Sequence, residues 1–221
     1  MNGRGQGSDS SSQVIHVVAF VDWNAQIHLS GLDGKTDPIT AARGVLERTA
    51  RRVARCLAAT DKNARFAVSL RLYHGWHRGF EPSANKKAIR TVLAAADFAS
   101  LSTVPNVSFM ESVGYGDCLL AALPCRLHQR LSIHLPNTLR TQDRIDSEKM
   151  VDTALATDVV FSAINEPKDW IVVVTEDDDL VPPVFTAEAL LEPYGARVLL
   201  LHSRKRSGTF LRLDLLTVRQ Q

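Results

Sequence analysis

The chain has 221 residues, 45% of them apolar and 23% charged, with a formal net charge of +2. That length supports one generous domain or two small ones, and the composition excludes a disordered or fibrous chain. A charge of +2 does not by itself mark a nucleic-acid binder, so any basic footprint must be local. The three cysteines, Cys56, Cys118 and Cys125, have no CxxC spacing, which argues against a disulfide scaffold and a structural zinc site. They point to a reducing, cytoplasmic setting. No stretch approaches the roughly 18 apolar residues of a membrane span, so a soluble protein with no membrane partner is expected.

Residues 1–13, MNGRGQGSDSSSQ, are polar, Gly/Ser-rich and without a signal peptide's apolar core, and read as a disordered tail. Val14 to Val21 is a β-branched apolar run, a buried strand. Thr40 to Ala59 repeats apolar residues at helical spacing, with Arg48, Arg51, Arg52 and Arg55 on a solvated face. Phe66 to Tyr73 is a second strand, followed by the turn-like HGWHRGFEPS. A helix is predicted over Ala84 to Ala99 and a short third strand over Val107 to Ser112. Residues 113–146 read as an irregular insertion, long for a compact domain and a candidate surface for a protein partner or a second copy.

Ser147 to Ala163 reads as a helix with Ser147 as its N-cap, and Ile171 to Val174 as the fourth strand. A helix over Pro182 to Leu191, ended by Gly195, precedes the fifth strand at Val198 to Leu201. Phe210 to Val218 is a candidate edge strand. Strands alternating with helices imply an α/β three-layer sandwich with a mostly parallel central sheet. No repeat or linker interrupts residues 14–221, which are read as a single domain.

In such folds ligands sit beyond the carboxyl ends of the strands. The first strand ends in Val21-Asp22-Trp23-Asn24 and the fourth in Thr175-Glu176-Asp177-Asp178-Asp179. If the second segment is extended, Asp177 and Asp179 face one way and Asp178 the other. Asp152, in the first turns of the intervening helix, suits the helix dipole and adds a third contribution. Each aspartate taken singly is explained as a helix cap. Four of them, Asp22, Asp152, Asp177 and Asp179, converging without arginine partners would repel by roughly 4 kcal/mol per close pair at an effective dielectric of 20. Mg²⁺ or Mn²⁺ removes that cost, activates water and neutralises a phosphodiester.

The stretches AFVDWNAQ, EKMVDTALATDVV and VVVTEDDDLVP, followed by GARVLLL, resemble the NYN family of PIN-like ribonucleases. That family's patterns run as a strand ending Asp-x-Asn, then Lys-Gly-x-Asp opening a helix, then Ser-Gly-Asp-x-Asp-Phe-x-Pro. Asp22 and Asn24 match the first, Lys149 and Asp152 the second, and Thr175, Asp177, Asp179 and Pro182 the third. Asp158 falls where many members carry a second helix acid. The likeness covers residues 14 to about 202 apart from 113–146. It implies a PIN-like, Rossmann-like fold and a Mg²⁺- or Mn²⁺-dependent endonuclease rather than an exonuclease. Single-stranded RNA is the preferred substrate, and single-stranded DNA stays open.

Asp22, Asp152, Asp177 and Asp179 would then be metal ligands, with Thr175 and Asp158 as supporting residues. Asn24 would orient phosphate, and Lys149 would neutralise transferred charge. Departures are Trp23 between the first Asp and Asn, Met150 for the Gly of the second pattern, and Glu176 for the Gly of the third. Glu176 either adds a ligand or obstructs the metal. Trp76 and Arg78, after the second strand, and Arg204, Lys205 and Arg206, after the fifth, are candidate nucleic-acid contacts. Two alternatives remain. One is an inactive RNA-binding or protein-interaction module of the same fold. The other is a haloacid-dehalogenase-like phosphatase, against which Asn24 counts, because that chemistry needs an acid/base Asp there.

Overall fold

The computed structural model describes residues 14–32, 36–122, 134–142 and 145–203. Chain order begins with strand β1 (Val14–Asp22), helix α1 (Trp23–Ser30), helix α2 (Pro38–Thr60) and strand β2 (Arg65–Tyr73). A small hairpin, β3 (His77–Arg78) and β4 (Glu81–Pro82), precedes helix α3 (Ala84–Ala94) and strand β5 (Val107–Tyr115). A second hairpin, β6 (Leu139–Gln142) and β7 (Ile145–Glu148), leads into helix α4 (Val151–Asn165). Strand β8 (Trp170–Val174), helix α5 (Val181–Leu191) and strand β9 (Val198–Leu201) complete the set.

The strands β5-β2-β1-β8-β9, in that order, form one wholly parallel sheet. Helices flank it: α1, α2 and α3 pack together, and α4 packs on α5 and against β1 and β2. A sheet covered in this way needs strands that are apolar throughout, and all five residues of β8 are buried. The chain moves outward from β1 to β2 and β5, then resumes on the other side of β1 with β8 and β9. The reversal lies between β1 and β8, the position where α/β sheets open a crevice. Val21 pairs with Val174, so Asp22 and Thr175 are the next residues on adjacent strands. No helix of the described residues is long and apolar enough to cross a membrane.

Three local expectations are corrected. Helix α1 has weak apolar periodicity and was not expected; it forms because Asp22 accepts from the Ala25 N–H at 3.0 Å and Gly31, at φ 66, closes the far end. Arg48, exposed as expected, also donates to the Leu29 carbonyl of that helix at 3.1 Å. Helix α3 stops at Ala94 rather than Ala99, and Asp97 caps a separate 3-10 turn at Phe98–Leu101. Helix α4 starts at Val151, so Ser147 is no cap; residues 145–148 pair instead with 139–142.

The expected irregular segment 113–146 therefore begins as the end of β5 and closes as a hairpin. Gly116 follows β5 because a Cβ there would meet the Tyr73 ring at 2.0 Å. The candidate strand at 210–218 and the tail at 1–13 lie outside the described residues.

Candidate active site

A cleft of about 820 Å³ opens at the crevice between β1 and β8. Its walls carry the carboxylates of Asp22, Asp146, Glu148, Asp152, Glu176, Asp177 and Asp178, together with Asn24 and His28 from α1. Asp22 is buried, and both of its oxygens are engaged. Oδ1 accepts from the Ala25 N–H at 3.0 Å and Oδ2 accepts from the Thr175 hydroxyl at 3.1 Å. Burial is the largest influence on its ionisation. The two hydrogen bonds oppose it, the charges on Glu148 and Asp152 reinforce it, and its pKa is pushed up to about 6.

Thr175, fully buried, also accepts from the Asp177 N–H at 3.0 Å, so one hydroxyl fixes both strand ends. From Asp178 the backbone coils into a 3-10 turn, with Asp177 Oδ1 accepting from the Asp179 N–H at 2.9 Å. The extended alternation expected for residues 177–179 therefore does not hold. Asp177 and Asp178 line the cleft, whereas Asp179 stands off its wall. Asp179 is still close enough for its charge to act on Asp152. The Asp152 carboxyl is raised first by burial, then by Asp177, Glu148 and Asp179.

Asp152 reaches the cleft from the first turn of α4. The residue before that helix, Met150, has φ 66, in the left-handed region that favours glycine. Glu148 and Asp146 arrive on β7 and were missed by sequence reasoning, because Ile145-Asp146-Ser147-Glu148 has no apolar strand signature. Glu148 Oε1 accepts from the Gly75 N–H and lies against His74 Nδ1. Asp146 accepts from Arg78 Nη2 at 2.9 Å and from the Thr141 hydroxyl at 2.6 Å.

The third residue of the VTEDDD stretch has a partner outside the aspartate set. Glu176 is buried on the cleft wall, accepts from the Ser203 N–H at 2.8 Å, and its charge favours the protonated guanidinium of Arg52. Arg52, expected on a solvated face, is half-buried and donates to Gln26 Oε1 at 2.8 Å. Among the described residues no ion pair reaches Asp22, Asp152 or Asp177.

Of the candidate nucleic-acid contacts, Trp76 is fully buried, with its Nε1 donating to the Leu72 carbonyl at 3.0 Å. Its ring has no face to offer a base, which corrects that assignment. Arg78 is exposed beside Asp146, and Arg204, Lys205 and Arg206 lie outside the described residues. Lys149 is exposed and off the cleft wall. Asp158 faces away from the cleft into a buried network: Oδ2 accepts from Arg71 Nε at 3.0 Å and the Tyr73 hydroxyl at 2.7 Å, and Oδ1 from the Leu120 N–H at 2.8 Å. It sets the sheet-to-helix packing beneath the site.

An all-oxygen donor set in which Asp22, Asp152 and Asp177 make no ion pair among the described residues is of the kind that suits a hard divalent cation. Among the described residues no three His, Cys, Asp or Glu side chains are gathered tightly enough to hold a metal by themselves. Comparison with protein-family models, curated proteins and solved structures gave no match.

Proposed function

We propose that this chain is a PIN-like, NYN-type nuclease that uses Mg²⁺ or Mn²⁺ to hydrolyse phosphodiester bonds in single-stranded RNA. The observation that carries the reading is the convergence of Asp22, Asp152 and Asp177, without ion pairs among the described residues, at the reversal of strand order. Support also comes from Met150. The resemblance puts a glycine in the family at that position, and here the backbone adopts the left-handed conformation glycine favours.

Asp22 and Asp177 are the residues that would hold the ion, with Asp152 at one side and Asp179 acting through its charge. When bound, a divalent cation supplies charge neutralisation and activation of the attacking water. Thr175 locks Asp22 and the Asp177 backbone in register. Asn24, on the cleft wall, would orient a phosphate oxygen. Glu148, anchored by Gly75 and His74, adds negative potential that draws a cation in.

A non-catalytic module of the same fold is the rival reading, favoured by one observation: both oxygens of Asp22 already have protein donors. The phosphatase reading is weaker, since the residue two beyond Asp22 is Asn24, which cannot act as general acid. The discriminating experiment offers purified protein with Mn²⁺ a labelled single-stranded RNA, the DNA of the same sequence, duplex DNA and para-nitrophenyl phosphate. Cleavage of RNA ahead of duplex DNA supports the proposal. Binding without cleavage of any strand favours the module, and release of para-nitrophenol favours the phosphatase.

A further inference from the structure

Phe80 is 75% exposed, the most exposed large apolar side chain among the described residues. It occupies the turn between β3 and β4, and that turn is anchored. The Gly79 N–H donates to Asn137 Oδ1 at 2.7 Å, and the Asn137 N–H returns a bond to the Gly79 carbonyl at 2.9 Å. The His77 N–H donates to the Thr138 hydroxyl at 2.9 Å, and Arg78 holds Asp146. Asp146 is itself part of the cleft wall. A bare phenyl ring thus stands on an anchored turn, two residues from a guanidinium that touches the wall of the carboxylate cleft.

Exposing such a ring in water forfeits about 1.5–3 kcal/mol of burial, and the bonds beneath it hold the turn that carries it. A preset aromatic loses little entropy when a partner stacks on it. The chain neighbours Arg78, Gly79 and Glu81 are polar or small, whereas a hydrophobic peptide or a membrane surface calls for further apolar residues beside the ring. A second copy docking here would bring one carboxylate cleft toward another, at a repulsive cost. A flat heterocycle carrying a phosphodiester meets both features: the ring offers a face, and the neighbouring cleft offers a cation site for the phosphate.

We propose that Phe80 is the stacking platform for one base of a single-stranded nucleic acid whose backbone runs from this hairpin into the acidic cleft. The occupant's identity rests on the nuclease reading of that cleft. The base must be unpaired, because a base inside a duplex has no free face for the ring. The platform takes the role that the buried Trp76 cannot fill.

The test measures binding of a fluorescent single-stranded RNA, in Mg²⁺, to the full chain carrying Asp177→Asn so that the strand survives. Adding Phe80→Ala should weaken binding about fivefold to a hundredfold, the range of one base–aromatic stack. Phe80→Trp should restore it. A strand with abasic sites throughout should bind both proteins alike. Equal affinity with and without Phe80→Ala, or the same loss on the abasic strand, would overturn the platform. Phe80 is exposed, so folding is not at stake, and unchanged melting temperatures verify that. A protein that binds through Phe80 yet cleaves nothing as wild type sinks the nuclease reading alone; one that cleaves, with binding indifferent to Phe80, sinks the platform alone.

Discussion

Replacing Asp22 by Asn should stabilise the metal-free protein, and only at pH values where the carboxyl is charged. In the folded chain this group binds its proton more tightly than in the unfolded chain, with its pKa raised from 3.8 to about 6, chiefly by burial. The wild type is therefore free of the penalty below about pH 4, loses stability as pH rises toward 6, and carries the full cost above that. At about 1.4 kcal/mol per pH unit, the gap corresponds to about 3 kcal/mol. Asn keeps an oxygen for the Ala25 N–H and remains a good helix cap, so little is lost in exchange. For a chain of this size, about 3 kcal/mol corresponds to a melting temperature higher by roughly 6–12 °C. Thermal or urea unfolding of both proteins in EDTA, from pH 4 to pH 8, measures it. The difference should be near zero at pH 4 and grow to its full size by pH 8. A variant that is equally destabilised at both ends would show that the Asp22 charge is already compensated in the fold.

Two further outcomes concern the frame around the site. Met150→Gly should raise stability by up to about 1 kcal/mol in urea unfolding, because a side chain at φ 66 carries left-handed strain that glycine does not. Arg71→Met should cost about 3–5 kcal/mol by the same method, since it strands the fully buried Asp158 carboxylate; Arg71→Met with Asp158→Leu should recover much of that.

The sheet was legible in the sequence because its inner strands are covered on both faces: VIHVVAFV and WIVVV are accordingly apolar runs, and few other structures want that pattern. The acids at the ends of β1 and β8 followed from the same fact, since a strand that ends in aspartate delivers it to the crevice. What the sequence hid was made by tertiary pairing. Glu148 and Asp146 sit on a ribbon whose residues, IDSE, have little strand propensity beyond Ile145 and hold their form by pairing with Leu139–Gln142.

Trp76 looked like a surface aromatic because its neighbours His74, His77 and Arg78 are polar. Yet His74 and Tyr115 pack edge-on against its ring, and His74 and His77 are buried with it. The facing of Asp178 and Asp179 was misread for a local reason: a tight turn replaces period-2 alternation as soon as Asp177 caps it.

The central claim is that these carboxylates are there to hold a cation that cuts RNA. It is tested most directly by following cleavage of an end-labelled single-stranded RNA with Mn²⁺, comparing wild type with Asp177→Asn. The substitution keeps an acceptor for the Asp179 N–H, so the turn survives. Wild type should cleave with Mn²⁺ and not in EDTA, and Asp177→Asn should lose cleavage while remaining folded. Equal cleavage by both proteins, or cleavage by the wild type that persists in EDTA, would contradict the account.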